Sequence, residues 1–236
     1  MSDYQSELEN ERAMKDQFMA HHAESPFVSG RVHDFSGLAY FPIDERLRLT
    51  ARLERAPLPQ EAYLRTNRDG QAVMRYLGQL VFDLYGETLR LRVYHAGEGV
   101  GTSVFIPFRD RTSGAETYGP GRYLTLDLSE DDTYELDFNR AFNPYCAYTD
   151  AFECPFPPVE NDLPVEIRAG EKVWQGRDLP KVTLRPPTGS PRRGAARRPR
   201  KAKYPRAATK PKVPSRGAGT ATRSARGRAP RPTRRR

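Results

Sequence analysis

The stretch QLVFDLYGETLRLRVYH, residues 79–95, has the pattern of two β-strands joined by a tight turn. In its second half Leu89, Leu91 and Val93 alternate with polar residues and arginines, so that one face is apolar and the other is polar. Gly86 supplies the conformational freedom that a tight turn requires. The stretch therefore predicts an antiparallel hairpin with one face buried in a core.

The same two-residue period recurs along the chain on both sides of this hairpin. No long helical pattern separates the segments, which favours an antiparallel sheet over a parallel one. We therefore predict a mainly β (β-rich α+β) fold, an antiparallel barrel or sandwich of about eight to ten strands preceded by a helix. The further strand segments are residues 46–54, 63–76, 102–108, 122–128, 133–139 and 163–174.

An amphipathic helix is predicted over residues 3–22, where apolar side chains recur at helical spacing among charged ones. Pro26 ends this region, because a proline disfavours helical geometry at the residue before it. The apolar positions of the predicted helix are Tyr4, Leu8, Met14, Phe18 and Met19.

The formal charge of +9 combines two parts of opposite sign. Residues 1–178 hold all 30 acidic residues and 19 lysines and arginines, a formal charge of −11, whereas residues 179–236 hold 20 bases and no acid. The basic part has little apolar surface to bury, so we predict that it is disordered. The predicted division is a helix over 1–24, a β-rich domain over 25–176 and a disordered basic tail over 177–236.

The sequence predicts a cytoplasmic protein without membrane insertion. Its N-terminal residues lack the apolar stretch of a signal peptide, and no segment reaches the roughly 18–20 apolar residues of a membrane helix. Cytoplasmic cysteines are expected to stay reduced. Cys146 and Cys154 are separated by seven residues, which is not the spacing of a usual zinc site. We predict no metal and no cofactor.

Two long motifs resemble a known family. They are FIPFRDRTSGAETYGPGRYL (105–124) and LDFNRAFNPYCAYTDAFECPFPPVENDLPVEIRAGEK (136–172). Together with the strands of 78–94 they resemble the domain of unknown function family 1684, a group of uncharacterised bacterial and archaeal proteins. The resemblance covers residues 10–175 in round numbers and leaves out the basic tail. It implies a soluble β-rich domain, with no established activity, cofactor or catalytic residue to transfer.

A binding pocket is predicted where the last alternating strand runs into the loop that follows it. Asp137 and Asn139 lie on the polar face of that strand, and Asn143, Tyr145 and Cys146 follow in the loop. We interpret the first two as the floor of the pocket and the others as its wall. The alternative is that the Asp and Asn side chains bond to nearby backbone, as they often do in turns.

A second polar cluster contains Arg109, Asp110, Tyr118 and Arg122. Arginine beside tyrosine can hold a carboxylate or a phosphate, so we predict that this loop faces the pocket and that the pocket binds a small anionic ligand. The alternative is a long hairpin whose Arg–Asp pairs are surface salt bridges of little energetic value.

Three further candidates bear on catalysis. Cys146 could act as a nucleophile if a neighbouring base generated its thiolate, although a cysteine is commonly a small buried hydrophobe. Glu160 and Asn161 follow a stiff pair of prolines and are assigned to the same pocket. No nucleophile–base–orienter triad is recognisable. A ligand-binding domain, an enzyme and a purely structural interaction module therefore all stay open.

The tail is predicted to bind nucleic acid non-specifically, and the protein could then associate with the nucleoid. Its cations are spaced by Pro, Gly and Ala, and binding to phosphates releases counterions, so affinity should fall with salt. The alternatives are a tail without a selected partner and a tail that lies on the acidic domain. The candidate contacts are Arg192, Arg193, Arg197, Arg198, Arg200, Lys201, Lys203, Arg226, Arg228, Arg234, Arg235 and Arg236.

Overall fold

The computed structural model describes residues 2–29, 35–95 and 103–176 of the chain. The predicted basic tail, with all of its candidate nucleic-acid contacts, lies outside the described residues. Within the described ranges no helix is long and apolar enough to cross a membrane.

The predicted N-terminal helix is present and spans Asp3–His21, here called α1. The side chain of Ser2 accepts a hydrogen bond from a backbone N–H of the first turn and caps the helix. Leu8 is buried against the rest of the protein, whereas Met14, which was predicted on the apolar face, is 55% exposed. A short helix α2 follows at Pro26–Ser29.

Six strands form one sheet in the spatial order β5-β4-β3-β2-β1-β6. Every neighbouring pair is antiparallel. The strands are β1 Arg48–Arg65, β2 Gln71–Leu84, β3 Glu87–His95, β4 Ser103–Phe108, β5 Arg122–Asp127 and β6 Thr133–Asp137.

The two edges of the sheet approach each other and almost close a barrel. Strand β6 leads through the 3-10 helix Phe138–Arg140 to Phe142, which forms an antiparallel bridge with Tyr123 of β5. The N–H of Tyr123 donates to the carbonyl of Phe142 at 2.8 Å, and the reverse bond measures 3.0 Å. The fold is therefore mainly antiparallel β with one long N-terminal helix, which confirms the predicted class.

Within the described ranges the strands of the sheet are fewer and longer than the predicted eight to ten. Strand β1 joins two predicted strands into one, with a shift of register between Arg55 and Gln60. Pro57 lies within this shift, where the ladder does not need its missing N–H, so the strand continues through it. Residues 163–174, predicted as a last strand, are irregular and make an isolated bridge between Glu171 and Tyr40.

The barrel interior is the main apolar core. Leu89, Leu91 and Val93 belong to it, as their alternation predicted, and Leu91 and Val93 are fully buried. Burial of one such side chain stabilises the fold by about 1.5–3 kcal/mol. Trp174 lies in a separate small cluster, where its ring packs on that of Phe27 with 5.0 Å between centroids.

Candidate functional site

A groove of about 160 Å³ lies between α1 and the barrel. Its position follows from the closure of the barrel, because the segment that connects β6 to Phe142 forms its floor. It mixes charged, polar and aromatic side chains, as binding sites for small polar molecules do. It is lined by Leu8, Glu11, Arg12, Lys15, Tyr40, Asn139, Arg140, Ala141, Phe142 and Glu171.

Glu171 is a fully buried carboxylate at the inner end of the groove. One carboxylate oxygen pairs with the ammonium group of Lys15 on α1. The other accepts bonds from the Tyr148 hydroxyl at 2.6 Å and from the Asn143 N–H at 2.9 Å. Burial and the nearby Glu171 carboxylate raise the pKa of Tyr148, so this hydroxyl keeps its proton and remains a donor. These bonds offset the cost of burying the charge of Glu171.

Arg12 is the cation of the groove that lacks a carboxylate partner among the described residues. Its guanidinium donates to the carbonyls of Phe41 at 3.2 Å and Asn139 at 3.4 Å, while its buried Nε finds no acceptor in the described part of the chain. Burial lowers the pKa of Arg12, since the charged form is poorly solvated there.

Tyr40 forms the wall opposite α1. The Arg12 guanidinium lies over its ring, 4.4 Å from the centroid. The Tyr40 hydroxyl is buried, and no hydrogen-bond partner for it occurs within the described ranges. Burial, followed by the charge of Glu171, raises the pKa of Tyr40. The groove therefore presents two buried polar atoms, the Tyr40 hydroxyl and the Arg12 Nε, whose hydrogen bonds are not made by these residues.

The outer rim of the groove is a network of ion pairs around Arg140. Its guanidinium pairs with Glu7 and Glu11 of α1 and, at 3.1 Å, with Asp137 at the end of β6. The hydroxyl of Tyr4 donates to the same Asp137 carboxylate at 2.8 Å. This network ties the first half of α1 to the barrel and holds the helix next to Arg12, which directly follows Glu11.

A larger cavity of about 400 Å³ is a weaker candidate. Its charged side chains already satisfy one another: Arg46 pairs with Asp44 at 2.8 Å, and Arg168 pairs with Glu116 at 2.9 Å and with Glu166. Surface pairs of this kind contribute little energy and leave no unmatched group for a ligand.

A model of the protein family of unknown function DUF1684 matches residues 33–172. The chain belongs to the DUF1684 family. This confirms the resemblance seen in the sequence, although the match begins after α1. The groove therefore combines DUF1684 residues, such as Tyr40 and Glu171, with α1 residues that precede the matched region, such as Arg12 and Lys15.

A solved structure supports the DUF1684 fold. An uncharacterized protein from Haloarcula marismortui, solved by solution NMR, has 37% sequence identity to this chain, and the two structures superpose with a TM-score of 0.58. The alignment covers 72% of this chain and 94% of that chain. No curated protein matches this DUF1684 chain significantly.

The Asp and Asn residues that were predicted to form the pocket are buried and already hydrogen-bonded, Asn139 and Asn143 to backbone and Asp137 to both backbone and side chains. Asn139 lines the groove, but its amide bonds to the backbone N–H and carbonyl of Asp44 at 2.9 and 2.8 Å. Asp137 accepts a bond from the Asn139 N–H at 2.9 Å, and Asn143 donates to the carbonyl of Lys172 at 2.8 Å. These bonds join the segment after β6 to backbone that is distant in sequence, and the pocket assignment stays a prediction.

Arg122 and Asp110 form a fully buried ion pair at 2.9 Å. The Arg122 guanidinium also donates to the carbonyls of Ile167, Ala169 and Glu171. It thus binds the backbone behind the groove, while the side chain of Glu171 lines the groove itself. Neither Arg122 nor Asp110 lines the groove.

Arg109, Glu160 and Asn161 lie together at a different place on the barrel. The Arg109 N–H donates to the carbonyl of Asn161 at 2.9 Å. The Asn161 amide donates to the carbonyls of Arg92 and Pro107 at 2.9 and 2.7 Å, and Glu160 pairs with the Arg92 side chain at 2.9 Å. These contacts hold the 3-10 helix Val159–Asn161 against β3 and β4.

Tyr118, Tyr145 and Cys146 belong to the aromatic surroundings of the two cysteines. Tyr118 and Cys146 are buried in one cluster, with the Tyr118 hydroxyl 3.7 Å from the Cys146 Sγ. The ring of Tyr145 packs edge-on against Phe152 with 5.0 Å between centroids. Burial of the Cys146 side chain disfavours a reactive thiolate. In the described parts of the chain no three His, Cys, Asp or Glu side chains are grouped to hold a metal ion.

The sequence analysis did not assign Arg12, Lys15 or Tyr40 to a site. Arg12 and Lys15 lie among the charged residues between the apolar positions of the predicted helix. The local pattern contained no signal that this polar edge of α1 faces the barrel, because the contact joins residues more than a hundred positions apart.

Proposed function

We propose that the groove between α1 and the barrel binds a small anionic molecule that carries a carboxylate or a phosphate. The observation that carries the proposal is the half-buried Arg12 guanidinium, which is bonded to two carbonyls and has no carboxylate partner among the described residues. A charge held away from water without a counter-charge is costly, and an anionic ligand would remove that cost.

Arg12 has the donors for such a ligand. A guanidinium carries five N–H groups in a fixed fork that matches carboxylate and phosphate oxygens. The carbonyls of Phe41 and Asn139 use two of them, and the Nε–H is among those that remain. Ligand oxygens that accept from these groups would make charge-assisted bonds, which are stronger than neutral ones.

Two neighbours define the size and chemistry of the ligand. The unpartnered hydroxyl of Tyr40 supplies a further donor, and the ring of Phe142, with the Lys15 ammonium 4.9 Å from its centroid, supplies an apolar wall. The groove is smaller than the roughly 300–1,000 Å³ of pockets for drug-sized ligands. The ligand is therefore a small carboxylate or phosphate compound and not a nucleotide.

Ligand screening by thermal unfolding of the full chain tests this function. A ligand of the folded state raises the melting temperature, and the rise grows with the logarithm of its concentration once that concentration exceeds the Kd. We expect a member of a panel of small carboxylates and phosphates to raise the melting temperature of the wild type, and Arg12→Gln to lose the effect. Arg46→Gln is the matched control, since Arg46 is exposed and pairs with Asp44. An equal rise in wild type and Arg12→Gln would contradict the proposal.

We further propose that residues 177–236 bind nucleic acid without sequence preference. The supporting observation is in the sequence, where 20 bases and no acid follow residue 178. We expect the full chain to retard duplex DNA in a gel and a chain ending at residue 178 not to do so, with an affinity that falls steeply as salt rises. Retardation that persists without the tail, or that does not depend on salt, would contradict this assignment.

A further inference from the structure

The two cysteines of the chain lie together in the fold. Cys146 is in the 3-10 helix Tyr145–Ala147, and Cys154 follows the next turn of the chain. Both side chains belong to one buried cluster, with exposed fractions of 4% and 8%, and neither is in a disulfide. The Cys146 side chain and burial raise the pKa of Cys154, so the two thiols influence each other, and the Tyr118 hydroxyl lies 3.7 Å from the Cys146 Sγ.

Both cysteines are held by backbone contacts on either side of the thiol pair. The N–H of Cys154 donates to the Asn67 side chain at 2.7 Å, and its carbonyl accepts from the Asn67 N–H at 3.2 Å. On the other side the Ala147 N–H donates to the carbonyl of Pro144 at 2.9 Å. Two anchored segments thus hold both cysteines in one buried cluster, and a disulfide between them requires the specific geometry of such a bond.

We propose that Cys146 and Cys154 form an intramolecular disulfide when the protein meets a peroxide. The reduced state is the one described here, and the oxidised state is a second covalent form of the same domain. A position in an oxidising compartment is not required, because the oxidant is the peroxide itself.

The reaction balances in two steps. One thiol, after losing its proton, attacks an oxygen of the peroxide; an S–O bond forms, the O–O bond breaks, and the sulfur becomes a sulfenic acid while water (or an alcohol) leaves. The second sulfur then attacks the sulfenic sulfur; the S–S bond forms and the S–O bond breaks as water leaves. Two thiols lose two electrons in total, and the peroxide is reduced by the same two electrons.

The first step starts at Cys146. The Cys146 side chain and burial raise the pKa of Cys154, so Cys154 is the poorer source of thiolate and the attack on the peroxide is assigned to Cys146. Burial makes the Cys146 thiolate scarce, and the reaction is therefore slow and needs peroxide in excess. Cys154 lies in the same buried cluster and can resolve the sulfenic acid, which favours the disulfide over further oxidation.

The disulfide would fix the loop between the two cysteines. This loop contains Tyr148, whose hydroxyl donates to the buried carboxylate of Glu171 at 2.6 Å. A cross-link also restricts the unfolded chain and so raises the stability of the folded one. Oxidation is therefore expected to raise the melting temperature and to leave the contacts of Glu171 in place.

Treatment of the full-length protein with hydrogen peroxide tests the proposal. After alkylation of the remaining thiols and proteolysis, mass spectrometry should find peptides that join Cys146 to Cys154, with the mass lowered by two hydrogen atoms. On a denaturing, non-reducing gel the treated protein should run as a single chain, without intermolecular cross-links. It should melt at a higher temperature than the untreated protein. A reductant should reverse both the mass change and the rise in melting temperature. Cys154→Ser should give no such cross-link and should carry oxygen on Cys146 instead.

Two outcomes would overturn the proposal. One concerns a peroxide dose that cross-links the chain unfolded in guanidinium. If the native protein is treated with the same dose, then unfolded and alkylated, and both of its thiols still react with the alkylating agent, no disulfide has formed in the folded state. The other is that both cysteines of the wild type acquire sulfinic or sulfonic acid without any cross-link. Both are read on the wild type, so they decide the question even if the serine variant fails to fold.

Discussion

Arg122 shows at the scale of a single residue how the loops of this protein are held. It is fully buried, pairs with Asp110 and donates to three backbone carbonyls between residues 167 and 171. Burial lowers the pKa of Arg122, and the Asp110 carboxylate opposes that shift. One guanidinium thus supplies hydrogen bonds to the backbone carbonyls of residues 167–171, a segment that is not part of a strand.

Replacement of Arg122 by methionine should destabilise the fold strongly. The variant leaves the Asp110 carboxylate buried without its cation, and breaking a buried pair in this way costs about 3–5 kcal/mol. Unfolding in guanidinium chloride measures the loss. Arg90→Met is the control, because Arg90 and its partner Glu54 are exposed, and its effect should stay within about 0.5 kcal/mol. Equal stability of the two variants would show that Arg122 does not organise the loop.

His95 should make the stability of the fold depend on pH. Burial and the cation of Arg75 lower the pKa of His95 below its ordinary value of 6.5. As the pH falls through that value the unfolded state takes up a proton before the folded state, so stability present above it is lost on acidification. Urea unfolding between about pH 7.5 and 5 should show this fall, and His95→Gln should reduce it. If the free energy of unfolding of His95→Gln falls with pH as steeply as that of the wild type, groups other than His95 cause the dependence.

At the scale of elements, the hairpin of β1 and β2 depends on a close approach of backbone at Gly78. Gly78 has a φ of 148° and lies where the register between β2 and β3 shifts. A Cβ at this position would lie 2.2 Å from the carbonyl oxygen of Glu54 on β1. Only a glycine lets the two strands pass at this distance.

Gly78→Ala should therefore destabilise the barrel by about 2–4 kcal/mol, from overpacking and backbone strain together. Gly86→Ala separates the two causes. Gly86 also has a positive φ, 82°, but no described atom lies within 4 Å of an added Cβ, so only strain of about 1 kcal/mol is expected. Denaturant unfolding of both variants measures the loss of stability. If Gly78→Ala loses no more stability than Gly86→Ala, the close approach of the strands does not require a glycine at residue 78.

At the scale of the whole molecule, α1 supplies partners to buried charged groups of the barrel. Lys15 pairs with the buried Glu171, and Tyr4 donates to Asp137. The DUF1684 match begins after this helix, at residue 33. The helix is thus attached to the family domain by polar contacts along the groove and by the buried side chains of Leu8 and Met19.

A chain that begins at residue 25 should be less stable than the full chain, because Glu171 and Asp137 lose their partners on α1. Lys15→Met isolates one part of this loss, and a hydrogen-bonded charge left without its partner costs about 1–3 kcal/mol. Glu9→Gln, an exposed change on the same helix, should leave stability unchanged. Guanidinium unfolding of the three proteins provides the test. If the shortened chain were as stable as the full one, α1 would not contribute to the stability of the β-rich domain.

The sequence predicted the parts of this protein that depend on neighbours along the chain. The alternation of Leu89, Leu91 and Val93 identified their strand and its buried face, because side chains two apart share a face whatever the strand pairs with. The spacing of apolar residues likewise identified α1, and the motifs of 105–124 and 136–172 identified the family.

The tertiary structure decided the closure of the barrel and the position of the groove. Tyr123 and Phe142 meet only when the sheet has curled, and Arg12 reaches Asn139 across 127 positions of sequence. Local periodicity cannot encode such contacts, because it fixes which face of an element is polar but not what that face will meet. For the same reason the sequence placed Asp137 and Asn139 on the polar face of a strand, while their partners depend on how the distant segments pack.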